Sequence, residues 1–559
     1  MSRTIVVIGG AGGGPVAAAR ARELDEHARI VLVEKRSHVS WVQAGLRHHL
    51  EGMVTRLAEL DEDRRQFFAD RHRIELRTGT EAVRLDPDSH RLVLRTSVGQ
   101  ETLRYDAAIF SGGAEIGSAG AGLSVGQPGV TGFRTKDDLE ALQQLLRAGA
   151  KKAVVVGAGP FGIDAAMGLR KVGLSVHVVE RNERVLPSLS LLGARAAQRA
   201  LVDVGVVLHL KNPITNVDKH GTQSRLTLAN GTVIDADVVI LTTGLRPRTE
   251  LLSEAGAALN ADGSVRVNAR METTLPSIYA CGSAVSVTHA VTRAPLWLPQ
   301  AAIATRTAQI AGHNAVVDNS KETLSPLAGT AFYVVGNTHF GRTGLSESEA
   351  RSFLGDDRVF VVTIHGYAGE PWVGGDALCV RLVVDRHKVS AGHPHPGVVV
   401  GGEVWGKEGV PRRIDLLAAA VADGWSPDRV ADLDMAYAPT LGPAFDPLQI
   451  AGQVAAQTIT GEASPIGAEA LALRVLKNDV VLVDVSRPGK PGPWPQTALR
   501  IPLEALRERL AEIPRDKLVV TVSQTGQRAY QAFRILKQRG LSQVQHLDGG
   551  ALSYAFTLD

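Results

Sequence analysis

The chain has 559 residues, and its 61 Lys and Arg against 58 Asp and Glu give a net charge of +3. This near balance provides no electrostatic case for a nucleic-acid or membrane-surface partner. Two cysteines, Cys281 and Cys379, are too few for a disulfide-stapled scaffold or an iron–sulfur site. The length predicts three or four domains. Because neither a signal peptide nor an apolar run of about 18 residues is present, we expect a cytoplasmic protein.

A strand, a glycine-rich turn, a helix and an acid follow one another at the start of the chain. The apolar run Ile5 to Ile8 leads into six small residues, 9–14, and a helix is predicted from Pro15 to Leu24. A second strand then ends at Glu34. Such a turn lets the backbone approach a pyrophosphate, the helix start stabilises its charge, and the acid meets a ribose hydroxyl. The one departure from the glycine pattern is Ala11, and the unit predicts nucleotide binding.

The same unit returns 148 residues later, from Gly9 to Gly157, and here the glycine pattern is complete. The strand Ala153 to Val156 precedes the turn, and a second strand ends at Glu180. A carboxylate at this position repels a 2′-phosphate, which favours NADH, whereas Arg181 beside it leaves NADPH open. Two such units predict FAD in the first and a nicotinamide cofactor in the second.

Other segments resemble those of a known family. Residues 105–114 and 238–244 are similar to the strand-to-glycine segments of flavoproteins with two dinucleotide sites, and 277–284 to their second FAD contact, where Ser283 replaces the usual Asp. Residues 39–46 occupy the segment that reads Ser-Phe-Ala-Asn-Cys-Gly-Leu in coenzyme A disulfide reductases. The family's catalytic cysteine corresponds to Ala44 here.

The resemblance extends along the rest of the chain. Residues 405–410 and 436–439 are similar to the family's dimerisation domain, and 484–487 and 547–550 to a fused rhodanese domain. The rhodanese loop, Cys-x-x-Gly-x-Arg in that family, begins with Ser523. The chain thus resembles the coenzyme A disulfide and persulfide reductases with a fused rhodanese domain, yet lacks both of their catalytic cysteines. We expect Cys281 and Cys379 to be buried core residues instead.

The resemblance implies an α/β architecture and a homodimer. The expected architecture consists of two interleaved Rossmann-like FAD and NAD(P) domains, an α+β dimerisation domain and a C-terminal rhodanese-like α/β domain. The FAD-binding domain is expected at 1–112 and 245–325, and the NAD(P)-binding domain at 113–244. The dimerisation domain is expected at 326–460 and the rhodanese-like domain, inactive in sulfur transfer, at 465–559.

Three groups of binding residues follow from the motifs and the resemblance. The predicted FAD contacts are Gly9, Ala11, Gly14, Glu34, Lys35, Ala82, Ser111, Gly112 and Ser283. The predicted nicotinamide-dinucleotide contacts are Gly157, Gly159, Gly162, Glu180, Arg181 and Gly244. Coenzyme A phosphate contacts are implied at Arg20, Arg22 and Arg306, with a solvated surface arginine as the alternative at each. No metal site is expected, and His393-Pro394-His395 is interpreted as a loop.

The function predicted is that of an FAD-dependent, NAD(P)H-linked oxidoreductase. Reduced flavin would act directly on a small substrate, without a catalytic cysteine, in the space that Ala44 opens. Trp41 would stack on this substrate, Gln43 would hydrogen-bond to it, and His48 or Tyr437 of the partner subunit would donate a proton. His48 and its neighbour His49 have a second interpretation, as the polar end of a helix. Two alternatives remain for the whole chain: a non-catalytic module that binds nucleotide or coenzyme A, and a flavin oxidase or monooxygenase.

Overall fold

The computed structural model describes residues 3–60, 65–117, 120–320, 322–390, 396–489 and 492–555. The chain forms two compact units. The first contains residues up to 185 together with 202–289 and 293–327. The second contains 186–201, 290–292 and the chain from 328 onward. Within the described ranges, no helix is both long and apolar enough to cross a membrane.

The elements up to residue 327 alternate between strands and helices. The strands are β1 Thr4–Ile8, β2 Arg29–Glu34, β3 Glu75–Thr78, β4 Glu81–Asp86, β5 Arg91–Thr96, β6 Gly99–Arg104, β7 Ala107–Phe110, β8 Ala114–Ile116, β9 Val130–Thr131, β10 Lys152–Val156, β11 Ser175–Val179, β12 Val207–His209, β13 Ile214–His220, β14 Gln223–Leu228, β15 Val233–Ala236, β16 Val238–Leu241, β17 Leu245–Pro247, β18 Ile278–Ala280, β19 Val287–Thr288 and β20 Pro295–Leu296. The helices are α1 Gly13–Leu24, α2 Gly45–Leu50, α3 Arg65–His72, α4 Lys136–Arg147, α5 Pro160–Lys171, α6 Leu191–Asp203, α7 Glu250–Glu254 and α8 Ala301–Asn314.

Two parallel five-stranded sheets organise the first unit. Their strand orders are β18-β7-β1-β2-β3 and β12-β11-β10-β16-β9. The central strands β1 and β10 are β-branched, apolar and almost wholly buried, as expected for strands covered on both faces. Because β18 returns to the first sheet after the second sheet is complete, the two Rossmann-like sheets are interleaved, and the predicted α/β fold class is confirmed.

Helix α1 begins two residues earlier than the sequence pattern predicted. Helix α1 starts at Gly13, because the glycine turn itself adopts helical geometry, and not at Pro15. Small residues let α1 lie close to α8, since a Cβ on Gly312 would overlap the carbonyl oxygen of Ala17. The turn between β1 and α1 is therefore held between a buried strand and a second helix.

The second unit has its own strands and helices. The strands are β21 Ala331–Val335, β22 Thr338–Gly344, β23 Val359–Tyr367, β24 Ala377–Val389, β25 Pro396–Gly406, β26 Pro465–Ile466, β27 Val480–Asp484, β28 Leu499–Arg500, β29 Leu518–Val522 and β30 Val544–Leu547. The helices are α9 Glu347–Leu354, α10 Val410–Asp423, α11 Pro427–Ala431, α12 Pro447–Ile459, α13 Ala468–Leu476, α14 Gln527–Gln538 and α15 Gly550–Tyr554.

Two sheets divide the second unit. An antiparallel sheet has the order β21-β22-β25-β24-β23, and a parallel sheet has the order β26-β30-β29-β27-β28. Strands β23 and β24 pair along the full length of β23, up to Tyr367 opposite Ala377. The parallel sheet begins with the short strand β26, since Pro465 and Ile466 pair with β30.

A buried ion pair joins two helices that cover the antiparallel sheet. Arg413 on α10 and Asp446 at the start of α12 are both fully buried, and Nη2 of Arg413 lies 2.6 Å from Oδ2 of Asp446. Asp446 also forms an ion pair with Arg412 at 2.8 Å. As the N-cap of α12, it accepts the backbone N–H of Leu448. One carboxylate therefore serves two arginines and a helix start.

Candidate functional site

The first glycine turn is shaped by contacts that exclude a side chain. Gly9 has a φ of +107°, and a Cβ there would overlap the carbonyl oxygen of Ser111. A Cβ on Gly14 would overlap the carbonyl oxygen of Gly9. Ala11, in contrast, is exposed at the outside of the turn. The glycine-to-alanine departure therefore falls where a methyl group has room.

Glu34 closes the first turn from the end of β2. Its Oε2 accepts the backbone N–H of Gly10 at 2.6 Å, and its Oε1 accepts the backbone N–H of Arg36 at 2.8 Å. The residue is only 7 % exposed. Charge-assisted bonds of this kind hold the carboxylate beside the turn, where a ribose would lie.

The second turn repeats this geometry. Gly157 also has a φ of +107°, and a Cβ there would lie 2.6 Å from Cγ2 of Thr243. Glu180 accepts the backbone N–H of Ala158 at 2.8 Å through Oε2. Its Oε1 accepts both the backbone and side-chain N–H groups of Asn182 at 2.9 Å. The two copies therefore share a bond from the acid to the turn as well as a sequence pattern.

The helices that follow the two turns start without a side-chain cap. Neither Gly12 before α1 nor Gly159 before α5 offers a side chain to the free N–H groups. Elsewhere Thr135, Ser346 and Asp446 form complete capping boxes at helix starts. Free N–H groups and the positive end of a helix suit a phosphate group.

The segment that bears Ala44 is attached to the first turn. The backbone N–H of Ser40 donates to the carbonyl oxygen of Gly10 at 2.7 Å. Ala44 is exposed at the N-cap of α2, and Gln43 beside it is half-buried. Trp41 is only 7 % exposed, and its Nε1 donates to the carbonyl oxygen of Arg134 at 3.3 Å. The indole thus anchors the segment inside the protein, whereas Ala44 faces outward.

Comparison with known families matches this architecture over more than half of the chain. The family described as "Pyridine nucleotide-disulphide oxidoreductase" matches residues 3–308. The chain belongs to that family. A rhodanese-like domain matches residues 468–555.

Relatives of known name cover most of the chain. A NADH oxidase of Methanocaldococcus jannaschii is 27 % identical over 82 % of this chain and 99 % of its own length. A NAD(P)H coenzyme A polysulfide/persulfide reductase of Pyrococcus horikoshii is 27 % identical over 81 % of this chain and 98 % of its own. A structure described as a NAD-dependent persulfide reductase from A. fulgidus superposes with a TM-score of 0.89 at 29 % identity, covering 99 % and 100 % of the two chains. Reduced Bacillus anthracis CoADR-RHD gives a TM-score of 0.90 at 26 % identity, covering 100 % and 98 %.

As a member of this oxidoreductase family, the chain is an enzyme whose cofactors are FAD and NAD(P)H. The predicted enzyme class, cofactors and resemblance are therefore confirmed, and the non-catalytic alternative is not supported. The residues present fit two dinucleotides, since the two turns, the two acids and the uncapped starts of α1 and α5 form equivalent cradles.

Two half-buried arginines add to the site and were missed from the sequence. Nη1 of Arg134 and Nε of Arg248 are buried without a hydrogen-bond partner. Burial, followed by the charge of Arg248, lowers the pKa of Arg134 to about 10. Burial and the charge of Arg36 also lower the pKa of Arg248, while Glu115, 3.5 Å from its Nε, and Glu34 oppose this effect. Two cations that repel each other suit an anionic ligand, such as the pyrophosphate of a bound dinucleotide.

Arg134 also approaches the second turn. Its guanidinium lies 5.3 Å from the ring centroid of Phe161, the residue between Pro160 and Gly162. The buried hydroxyl of Thr243, next to Gly157, is another polar group without a partner. No glycine pattern marks Arg134, because its place is set by the fold of the segment before α4.

Residues of the predicted second FAD contact lie near the start of α1. A Cβ on Gly13 would lie 3.0 Å from Oγ of Ser111 and 3.5 Å from Sγ of Cys281. Gly282 donates its N–H to Oγ1 of Thr307 at 3.0 Å. Ser283 is half-buried, and its carbonyl oxygen accepts Nε1 of Trp297 at 2.9 Å. The fold thus brings Ser111 and the segment around Ser283 to one place.

The remaining predicted nucleotide contacts differ in exposure. Lys35 and Arg181 are exposed next to the two acids, and Gly244 is exposed with a φ of +67°. Ala82 lies on β4 beside an irregularity in its pairing with β5. A Cβ on Gly112 would lie against Phe110, so a side chain does not fit there. The role of each in binding stays a prediction.

Both cysteines are sealed inside the protein. Cys281 is 0 % exposed and Cys379 is 2 % exposed. Burial raises the pKa of the Cys281 thiol to about 12 despite a hydrogen bond with Ser111. Burial also raises the pKa of Cys379 well above its ordinary value. Both thiols are therefore protonated at neutral pH, whereas a reactive cysteine needs an accessible thiolate.

The two histidines of α2 have different surroundings. His49 is anchored, because Nδ1 lies 2.8 Å from the carbonyl oxygen of Val54 and Nε2 lies 2.9 Å from Nε2 of Gln143. His48 has a side chain that is 48 % exposed, with Nδ1 3.4 Å from Oε2 of Glu51. Of the two, only His48 can exchange a proton readily with a solvent-exposed substrate.

The three arginines implied as coenzyme A contacts also differ in their exposure and in their hydrogen bonds. Arg22 is buried, and its guanidinium donates to the carbonyl oxygens of His72, Asp25, Glu26 and Arg73 at 2.8–3.0 Å. Those bonds give it a structural role and leave little capacity for a phosphate. Arg20 is partly exposed and pairs with Glu23, while Arg306 is exposed on α8. Only these two remain candidates for phosphate contacts.

The other predicted residues lie in the second unit. Tyr437 is 56 % exposed, and Ser523 is 1 % exposed with its Oγ accepting the backbone N–H of Ala529. In the described part of the chain, no group of three or more His, Cys, Asp or Glu could hold a metal ion. His393 and His395 lie outside the described residues.

Proposed function

We propose that this enzyme is an FAD-dependent, NAD(P)H-linked oxidoreductase whose reduced flavin acts directly on a small substrate. No cysteine would take part. The observation that carries this proposal is the burial of both thiols, since neither Cys281 nor Cys379 can reach a substrate as a thiolate. Ala44 and Ser523 stand at the positions where the resemblance implies cysteines, and neither side chain can form a persulfide or a disulfide.

When bound, FAD supplies the carrier of two electrons from the nicotinamide to the substrate. The chain's own part is to hold the dinucleotides and to present a proton. His48 is the exposed candidate for that proton, and Glu51 keeps its Nδ1 at 3.4 Å. Arg47 in turn holds Glu51 at 2.7 Å and Asp164 on α5 at 3.2 Å. These ion pairs fix α2 against α5, the helix that follows the second turn, and so determine the orientation of His48.

The test is reduction of the holoenzyme by NADH without oxygen, in wild type and in a Cys281→Ser/Cys379→Ser variant. We expect the flavin absorbance to bleach at the same rate in both. We also expect the reduced wild-type protein to keep its activity after treatment with a thiol-alkylating reagent. Inactivation by that reagent in the wild type, but not in the variant, would show that a cysteine takes part.

A second candidate is direct reduction of oxygen. It is supported by the exposure of Ala44, which leaves room for a small oxidant, and by the 27 % identity with a protein named NADH oxidase. Consumption of oxygen and formation of peroxide, measured per NADH oxidised, would separate this activity from reduction of an organic or sulfur substrate. A screen of acceptors that includes coenzyme A disulfide completes the experiment.

We propose a homodimer on the basis of an exposed apolar surface in the second unit. Its members are Tyr367, Trp372, Tyr437, Leu441 and Phe445, each between 43 % and 72 % exposed. Glu370 joins their two loops, because its N–H donates to Pro439 and its Oε1 accepts the N–H of Ala444. Exposed aromatic groups of this kind mark protein interfaces.

Sedimentation velocity tests this dimer. Trp372→Asp should shift the protein towards monomer, because it places a charge at the most exposed member of the apolar surface. Leu476→Asp is the matched control, since Leu476 is 83 % exposed elsewhere in the unit. A wild-type monomer at micromolar concentration would contradict the proposal.

A further inference from the structure

A short loop after β3 supports the acid of the first cradle. The N–H group of Gly79 donates to the carbonyl oxygen of Arg36 at 2.9 Å, and the N–H group of Thr80 donates to that of Glu34 at 3.1 Å. Gly79 has a φ of +62°, a left-handed conformation that glycine adopts without strain. A Cβ on Gly79 would meet no atom of a distant residue within 4 Å, so a side chain at this position would enter open space.

The loop after β12 repeats these bonds in the second cradle, but a lysine takes the place of the glycine. The N–H group of Lys211 donates to the carbonyl oxygen of Asn182 at 2.7 Å, and the N–H group of Asn212 donates to that of Glu180 at 3.1 Å. Lys211 has a φ of +52°, which is uncommon for a residue with a side chain. Residues held in this conformation, when they are not glycine, concentrate at functional sites. Lys211 therefore corresponds to Gly79, at the cost of backbone strain.

The loop that bears Lys211 is fixed on both sides of this residue. The carbonyl oxygen of His209 accepts the N–H group of Glu180 at 2.9 Å. Oδ1 of Asn212 accepts the N–H group of Asn230 at 3.1 Å, and Asn212 is only 5 % exposed. Lys211 itself is exposed. Its backbone is thus held beside the acid of the second cradle, while its side chain faces solvent.

Lys211 also determines the formal charge at the rim of the second cradle, which we define as residues 180–184 and 211. Residues 180–184 contain two acids, Glu180 and Glu183, and two arginines, Arg181 and Arg184, so their formal charges cancel. Lys211 makes the rim positive. Within the residues that the structure describes, neither Lys211 nor Arg181 forms an ion pair. Both side chains are therefore available to an anionic ligand.

The acids of the two cradles differ in the number of hydrogen bonds that they can still accept. A carboxylate has about four acceptor positions. Glu34 accepts two backbone N–H groups, so about two positions remain for the two hydroxyls of a ribose. Glu180 accepts three N–H groups, one from Ala158 and two from Asn182, so about one position remains. Glu180 can therefore bind a ribose through one hydroxyl, which leaves the other hydroxyl free to carry a phosphate.

We propose that Lys211 is a specificity residue that lets the nicotinamide cradle accept a 2′-phosphate, and so NADPH as well as NADH. Lysine supplies a compact positive charge that suits a terminal phosphate group. In the first cradle, whose ligand FAD carries no 2′-phosphate, the same position is glycine. Lys211 thus limits the preference for NADH that Glu180 imposes, without reversing it. This role does not depend on how the reduced flavin meets its substrate.

Binding of NADP⁺ and NAD⁺ to the holoenzyme tests this role, because the two ligands differ only in the 2′-phosphate. Calorimetric titration gives both Kd values for the wild type, Lys211→Met and Lys211→Gly. Both variants should weaken the binding of NADP⁺ at least about fivefold, because a charge-assisted contact with the phosphate is lost. The Kd for NAD⁺ should change less than about twofold, because an exposed lysine contributes little where no phosphate is present.

Lys211→Gly separates the loss of charge from damage to the loop. Glycine relieves the strain of the left-handed conformation, so this variant should have a Tm no lower than that of the wild type. Weaker binding of NADP⁺ by a variant of undiminished stability then reports the missing charge. Raising the salt concentration should weaken NADP⁺ binding more in the wild type than in Lys211→Met, because the contact is electrostatic.

Lys211→Arg and Lys171→Met are the controls. Arginine keeps the charge and should keep the binding of NADP⁺. Lys171 is an exposed lysine at the other end of α5 from the second turn, so Lys171→Met should bind both nucleotides as the wild type does. Equal weakening of both nucleotides in Lys211→Met, an unchanged Kd for NADP⁺, or a wild type that binds only NAD⁺ would overturn the proposal. Because no electron transfer is measured, the result is separate from that of the flavin proposal.

Discussion

Replacement of Arg134 by Met should make the apoprotein more stable and its binding of FAD weaker. Nη1 of the guanidinium is buried without a hydrogen-bond partner, and Arg248 repels the charge. The pKa of about 10, against an ordinary 12.5, corresponds to a cost of roughly 3 kcal/mol for keeping this cation charged. Methionine keeps much of the volume over Phe161 and removes that cost. The free energy of unfolding of the apoprotein should therefore rise by up to about 3 kcal/mol.

The effect on the cofactor has the opposite sign. A charge-assisted hydrogen bond to a phosphate oxygen contributes about 1.5–3 kcal/mol, so its loss should raise the Kd for FAD roughly 10- to 150-fold. Calorimetric titration of FAD into the apoprotein measures the Kd, and urea unfolding of the apoprotein measures the stability. Both measurements should be made at the same pH and ionic strength, because the contact is electrostatic.

Arg246→Met is the control for this pair of measurements. Arg246 is 63 % exposed and binds Glu115 at 2.6 Å, so its loss should leave both the free energy of unfolding and the Kd close to those of the wild type. If Arg134→Met binds FAD as tightly as the wild type, the guanidinium does not face the cofactor. If it destabilises the apoprotein, the reasoning from the buried charge is refuted.

Four further predictions concern other residues. The kcat/KM should favour NADH over NADPH by at least about tenfold, and Glu180→Ala should narrow that ratio; equal values in the wild type would show that the carboxylate does not set specificity. The full-length protein should form no thiocyanate from thiosulfate and cyanide, because the hydroxyl of Ser523 cannot carry a persulfide; formation above the blank would contradict this. Asp446→Ala should lower the free energy of unfolding by about 3–5 kcal/mol, because it leaves the buried charge of Arg413 without its carboxylate, whereas a change of less than about 1 kcal/mol would refute the importance of the pair. Ala44→Cys should place a thiolate against oxidised flavin and give a long-wavelength absorbance band that titrates with pH; its absence would show that Ala44 does not lie over the ring.

The glycine turns could be predicted from the sequence because their chemistry is local. Gly9, Gly14 and Glu34 lie within one strand–turn–helix–strand unit, where spacing alone determines which groups meet. The same holds for Gly157 and Glu180. The boundaries of α1 were less predictable, because the glycines of the turn adopt helical geometry that their low helix propensity does not favour.

Residues whose position depends on distant parts of the chain could not be predicted in this way. Arg134 precedes an ordinary helix, and only the fold places it beside Phe161 and Arg248. Arg22 resembled a surface arginine, yet four carbonyl oxygens around residues 25 and 73 surround it. Ser553 closely follows a recognisable motif, but His365, whose Nε2 lies 2.9 Å from its Oγ, is on a strand 188 residues earlier that no local pattern links to it.

The carboxylate of Asp446 has a consequence for the order in which the second unit is assembled. It caps α12 and pairs with two arginines of α10, so neither helix is complete until the other is in place. Before they meet, Arg413 would be a desolvated charge in a partly formed core, which is strongly unfavourable. Helices α10 and α12 should consequently form and melt as one cooperative folding unit, even though 23 residues separate the end of the first from the start of the second.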